Sequence, residues 1–342
     1  MNTRQRGRSG VANRAAARVP GINMGSSACT LHRPITLTRC YAGHLGDSLC
    51  LTPLPRILKQ AAGATVYVTP DAMHVAVFAN NPHVSGFRPS RSLEIERSIG
   101  GHGHLIQRLQ KRLGLPAEGP PKPEIYLNMA ETEWARRERL KWPAERPTCF
   151  LATRAMTHAD IYSTVDWDWL GSLLSQGATI IQAVLTHPPL STDQRQPGAG
   201  TLGPEHVVPG AVRYENLTVR QFVSLLSVVD CFCGGMSGGT HVAAAFDLPS
   251  LILVPDRLKR RLVFPISSTG YCPEMFLYPQ HHYASLEDIR PRTDRCPVVV
   301  SAVTRLLADA TLKRGRGFPC NAMNLSPAMN VERQSVCQEQ FR

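Results

Sequence analysis

The sequence predicts an α/β fold of two Rossmann-like, doubly wound halves facing one another across a cleft. Three observations predict it. From about residue 35 to residue 310, short β-branched runs alternate with amphipathic stretches, the rhythm of parallel strands joined by helical crossovers. That rhythm breaks at the proline-rich "PAERP" of residues 143–147 and then restarts. In each half a strand-like run ends in a glycine turn that leads into a helix, "GHLGDSLCLTP" at 43–53 and "CFCGGMSGGTHVAAAF" at 231–246.

Element by element, "ITLTRCYA" reads as the first strand and "SLCLTPLPRILKQAAG" as a helix whose prolines belong to its first turn or kink it. "ATVYVTP" is a second strand, and "DAMHVAVF" is a helix closed by the turn Asn80–Asn81–Pro82, after which a short strand follows. Leu105, Ile106, Leu109 and Leu113 recur at helical spacing and stop at Gly114 and Pro116. "AETEWARRERLKW" is a polar helix. In the second half "TCFLATRA", "ATIIQAVLTH", "DCFCGG" and "PSLILVP" read as strands. "DWDWLGSLLSQG", "TVRQFVSLLSVV" and a segment opening near Thr240 read as helices. A Gly- and Pro-rich loop spans 186–216, with a strand candidate at "EHVVPG", and a closing helix covers about 298–310, able to return toward the first half. The expected layout is a basic arm at 1–34, domains at 35–145 and 146–310, and a tail at 311–342, with arm and tail disordered or flexible.

Charge narrows the partners. The chain of 342 residues carries a net charge of +12; the first forty residues supply seven of those charges and the last thirty-two supply three, leaving the body near neutral. A nucleic-acid binder would concentrate charge on its folded surface, so none is expected. The tails suit at most a weak contact with an anionic membrane surface. No apolar stretch has the length of a secretory leader or a membrane span, which points to a cytoplasmic protein, peripheral at the inner face of the membrane at most. Ten scattered cysteines form no CxxC pair and read as buried small hydrophobes.

The two glycine turns carry the chemistry. A helix N-terminus at the carboxyl end of a parallel strand offers orphan N–H groups and a positive dipole end to a phosphate, and glycine lets the phosphate come close. A tight turn that needs glycine for geometry alone is the alternative. In the other half Asp47 stands near a helix start, as an N-cap or as a general base facing the same cleft. His102 and His104 fit a surface or capping role, and His281 and His282 fit a loop. Asp166 to Trp169 fit a helix start, with acid at its positive end. Asp256 and Arg257 follow a strand end.

These segments resemble glycosyltransferase family 9, the ADP-heptose:lipopolysaccharide heptosyltransferases and their relatives. The resemblance rests on "LGDSLCLTPLPRILKQ", "ATVYVTPDAMHVAVFANNPHV" and "LTVRQFVSLLSVVDCFCGGMSGGTHVAAAFDLPSLILV", and it covers residues 35–310. It implies the two-domain GT-B fold and an inverting, metal-independent transfer of heptose or a related sugar from a nucleotide-diphosphate donor to a glycan or lipid-linked acceptor. No other cofactor is implied. Asp47 matches the family's base. Gly235, Met236, Ser237, Gly238, Gly239, Thr240 and His241 match its donor turn, and Arg154 or His158 stands in for a phosphate-binding lysine. Met236 occupies the place of the family's usual acidic residue. That departure and the missing lysine leave open a non-catalytic relative that binds a nucleotide, a nucleotide sugar or a partner.

Overall fold

The computed structural model describes residues 34–37, 45–70, 72–89, 103–116, 119–153, 162–185, 206–254, 278–289 and 296–315. The arm at 1–33, Arg154, His158, Asp256, Arg257 and the tail from 316 lie outside the described residues.

The first half builds a parallel sheet, β1 (Ile35–Leu37), β2 (Val66–Val68) and β3 (Gly86–Phe87), in that order, with Ile35 opposite Val66 and Tyr67 opposite Gly86. The proline-bearing helix divides into α1 (Leu45–Leu51) and α2 (Leu54–Ala62). Pro53 and Pro55 fall at the opening of α2, where a missing N–H costs nothing. Gly63, at φ 60°, closes α2 by donating its N–H to the Leu58 and Lys59 carbonyls. Helices α3 (Ala72–Phe78), α4 (Leu105–Arg112) and α5 (Met129–Arg139) follow. His104 caps α4, its Nδ1 accepting the Ile106 N–H at 3.2 Å, and Asn128 with Glu131 forms a capping box on α5.

The second half builds a six-stranded parallel sheet from β4 (Thr148–Ala152), β5 (Thr179–Leu185), β6 (Val212–Leu217), β7 (Cys231–Gly235), β8 (Ser250–Val254) and β9 (His281–Ser285). Its helices are α6 (Trp167–Ser175), α7 (Val219–Leu226), α8 (Gly238–Ala245) and α9 (Pro297–Gly315). The spatial order is β6-β5-β4-β7-β8-β9. The chain winds outward from β4 through β5 to β6, then crosses back to β7 and winds the other way. The reversal lies between β4 and β7, the position at which ligands enter a doubly wound sheet.

Four expectations are corrected. "EHVVPG" forms no strand; the strand is Val212–Leu217, an edge strand whose solvent face is polar and so reads as loop. His281 and His282 belong to the opposite edge strand β9 rather than to a loop. Helix α8 opens at Gly238, earlier than Thr240, because Ser237 provides the cap. The closing helix runs on to Gly315, past the expected boundary at 310. It packs on the second sheet through Val299, Val303, Leu306 and Ala310, and its last turn, at Lys313 and Arg314, comes near Lys122 and Arg139 of the first half.

Alternation along the strands divides the core. Cys149, Leu151, Cys231, Cys233, Leu251 and Leu253 face α6 and α9. Phe150, Phe232 and Ile252 face α7 and α8, in an apolar cluster that continues without a break into Leu37, Leu49, Leu58 and Val68 of the first half. The two halves therefore share one core.

Candidate functional site

The site grows from the end of β7. Gly235 is buried, and a Cβ there would lie 2.3 Å from Tyr162 Cζ. The Tyr162 hydroxyl uses that space, donating to the Leu253 carbonyl at 3.0 Å and accepting the Met236 N–H at 2.9 Å. Met236 is itself buried, so its amide and side chain are both spent on the fold.

Ser237, extended at φ −147° and ψ 176°, is the residue from which α8 departs. Thr240 is its third residue. The Thr240 hydroxyl donates to the Gly235 carbonyl at 3.0 Å, and the Ser237 N–H points at it from 3.4 Å. That bracing leaves Gly238 and Gly239 as the first two helical residues, whose N–H groups have no partner in the helical ladder. Ser237 and Gly238 are partly exposed, whereas Gly239, Thr240 and His241 are buried.

The first turn of α1 lies against this turn. A Cβ on Gly46 would come 2.8 Å from His241 Cδ2 and 3.0 Å from Nε2. A Cβ on Gly238 would come 2.8 Å from Leu45 Cδ2. The two glycines thus let the helix starts interlock at backbone distance. Asp47 rides on that same turn of α1 as its third residue. It is partly buried, and loss of water alone raises its carboxyl from 3.8 to about 7. A carboxylate with that affinity for a proton is suited to accept one near neutral pH.

Behind the interlocked turns lies a buried group of rings. His241 Nδ1 shares a hydrogen bond with the Tyr278 hydroxyl and lies 3.7 Å from Cys50 Sγ. Tyr278 is edge-on to His241, to His104 and to His281, with ring centroids 5.7, 4.7 and 5.0 Å apart. Burial, with His104 and His281 nearby, holds the His241 imidazole well below its ordinary pKa, so it is neutral. Sequence spacing gives no signal for this cluster, because 191 residues separate Cys50 from His241 and 37 separate His241 from Tyr278.

His102 lies outside the described residues; of the other singled-out residues, those described have structural partners. Asp166 caps α6 through the Trp169 N–H at 3.0 Å, and Trp167 is buried, with its indole N–H on the Tyr162 carbonyl. Asp168 pairs with His206 and His282 pairs with Asp309, each at 2.9 Å. Among the described residues no group of three or more His, Cys, Asp or Glu is arranged to hold a metal ion, and no helix is long and apolar enough to cross a membrane.

No protein-family model matches the chain, and no curated protein matches it. Among solved structures it is similar to a family 9 glycosyl transferase from Veillonella parvula, at 11% identity and TM-score 0.49, covering 84% of this chain and 99% of that one. It is similar to the ADP-heptose lps heptosyltransferase II of E. coli, at 13% identity and TM-score 0.48, covering 82% and 100%. The iron-containing dodecameric glycosyltransferase TibC of enterotoxigenic E. coli is a third, at 16% identity and TM-score 0.49, covering 83% and 77%.

Proposed function

We propose that the chain is a glycosyltransferase of GT-B arrangement, with domains at 35–145 and 146–310. In this reading it moves heptose or a related sugar from a nucleotide-diphosphate donor to a glycan or lipid-linked acceptor, inverting the anomeric centre without a metal ion. The observation that carries the reading is the interlock of the two helix starts, which brings Asp47 beside the N-terminus of α8 at the sheet's reversal point. Asp47 takes the proton of the acceptor hydroxyl as its oxygen attacks the anomeric carbon. The bond from that carbon to the diphosphate breaks, and the leaving charge is met by the N–H groups and dipole of Gly238 and Gly239. Arg154 supplies further positive charge. A cytoplasmic site, with the basic tails against an anionic membrane, accompanies a lipid-linked acceptor.

Two substitutions test the two ends of the site. Asp47→Asn keeps size and removes the proton acceptor, and should slow transfer by roughly 10²–10⁴ while nucleotide binding holds. Ser237→Asp leaves a favourable helix cap and sets a negative charge beside the diphosphate. It should weaken ADP binding at least tenfold, about 1.4–3 kcal/mol at the effective dielectric of a protein surface, with the melting temperature preserved. Unchanged ADP affinity in Ser237→Asp removes the diphosphate from α8. Transfer within a few-fold of wild type in Asp47→Asn removes the base.

A further inference from the structure

The group of rings behind the site belongs to no step of that transfer, yet it spans the junction between the halves. His241 is wedged edgewise. Its Cδ2–Nε2 edge lies where a side chain on Gly46 would begin, and its opposite edge, Nδ1, meets the Tyr278 hydroxyl. One helical turn beyond Gly46, on the same side of α1, Cys50 Sγ reaches that Nδ1 edge as well. Tyr278 is held in turn. Its N–H donates to the Tyr283 hydroxyl at 2.8 Å, and Gln280 two residues on donates to the Ala244 carbonyl of α8 at 3.2 Å. His104, the cap of α4 in the first half, and His281 of β9 pack edge-on against the same ring.

We propose that Tyr278 is a positioning residue: by fixing the rotation of the His241 imidazole beneath Gly46, it sets the register between the Asp47 turn of α1 and the first turn of α8. An imidazole is a rigid plate, so its orientation decides how closely α1 can approach. A ring free to turn about its side-chain torsions no longer defines that distance. Misplacement of reacting groups by an ångström is enough to lower a rate a hundredfold. The groups facing His241 are Cys50 from α1, His104 at the cap of α4, Tyr278, and His281 from β9; burial lowers the His241 and His281 imidazoles and raises the Tyr278 phenol, so these three are neutral near pH 7. The strut therefore acts through shape and hydrogen bonding rather than through charge.

The inference deepens the transferase reading and rests on it for the kinetic arm of its test alone. Tyr278→Phe keeps the ring and its packing and removes the hydroxyl. With ADP-heptose as donor, kcat should fall at least tenfold while the calorimetric ADP Kd stays within twofold of wild type. The second arm needs no substrate: the Asp47 carboxyl, assigned by its absence in Asp47→Asn, is followed by ¹³C NMR against pH. In Tyr278→Phe its titration should move down by at least half a pH unit as the loosened junction admits water. The third arm is coupling. Gly46→Ala drives a methyl into the His241 ring. Its loss of melting temperature in the Tyr278→Phe background should be less than half that in wild type, because the freed ring yields. An unmoved Asp47 titration, or equal melting losses in the two backgrounds, overturns the proposal. If wild type transfers no sugar, the transferase reading fails while the NMR and coupling arms still decide the strut. A Tyr278→Phe enzyme with kcat within twofold of wild type also overturns it.

Discussion

Replacing Asp47 by asparagine should stabilise the protein, and by an amount that depends on pH in a defined direction. Burial raises the folded carboxyl from 3.8 to about 7, so the folded state holds a proton that the unfolded chain releases. Stability tied to that proton is complete below about pH 4 and is lost as pH rises through 7. Asparagine carries no such proton, and its curve lacks the loss. A shift of about 3 units corresponds to about 4 kcal/mol at ~1.4 kcal/mol per unit. Partial exposure screens this to about 2–3 kcal/mol. Urea unfolding of both proteins at pH 5, 6, 7 and 8 reads the difference directly, and subtracting one curve from the other removes every other titrating group. The gap between variant and wild type should widen by about 1 kcal/mol from pH 5 to pH 7, the rest having opened below pH 5, and then level. Parallel curves across that range would show that Asp47 is solvated and ordinary, and the case for it as a base near neutral pH would lose its physical ground.

His281, pushed down to about 3 by burial with His282 and His104 nearby, must bind a proton on unfolding below pH 6.5. His281→Phe should therefore gain on wild type by about 1.4 kcal/mol per unit between pH 6 and pH 5, read as a crossing of melting temperatures; a constant offset refutes it. Gly235→Ala places a methyl 2.3 Å from Tyr162 Cζ and should cost about 1–3 kcal/mol or more by overpacking, seen as a melting temperature lower by several degrees. An unchanged melting temperature would mean that Tyr162 does not fill that space. Arg220 of α7 donates to Glu131, to the Ala76 carbonyl and to the Tyr126 carbonyl, joining the halves on another side. Arg220→Ala should cost about 3 kcal/mol by leaving Glu131 unpaired in a partly buried place, and Glu131→Gln in the same chain should recover part of it. Additive losses would rule out the pairing.

Legibility in the sequence followed burial. Strands β4, β5, β7 and β8 lie inside the sheet, so apolar residues dominate both of their faces and the runs are plain to read. The edge strands of the second sheet escaped. Val212–Leu217 holds Arg213 and Glu215, an ion pair at 2.9 Å on the open face, and His281–Ser285 holds two histidines and a serine. One-sided burial halves the apolar signal, and five or six residues are too few to restore it. The α8 cap was misplaced for a different reason. Ser237 and Thr240 both suit an N-cap, and the choice between them depends on Thr240 reaching back to the Gly235 carbonyl, a contact that local spacing does not encode.

The glycines of the site show how one sequence pattern can have two physical reasons. Read from the sequence, Gly235, Gly238 and Gly239 make room for a phosphate. In the fold each missing Cβ has a claimant within the chain: Tyr162 at Gly235, Leu45 at Gly238, Phe232 at 3.1 Å from Gly239, and His241 at Gly46. Close approach is the shared requirement, but the approaching body is protein on the Cβ side. A ligand can only meet the N–H side of the same turn. The distinction decides which experiments bear on binding. Gly239→Val drives its side chain into Phe232 of the core, so lost affinity in that variant reports packing. Ser237 is partly exposed and aspartate is itself a favourable cap, so a charge placed there tests the ligand face with the cap retained. An anion at α8 is favoured by the position of that helix start at the reversal of the sheet and by the N–H groups of its first turn, and the interlock of the two halves accounts for most of the glycine pattern.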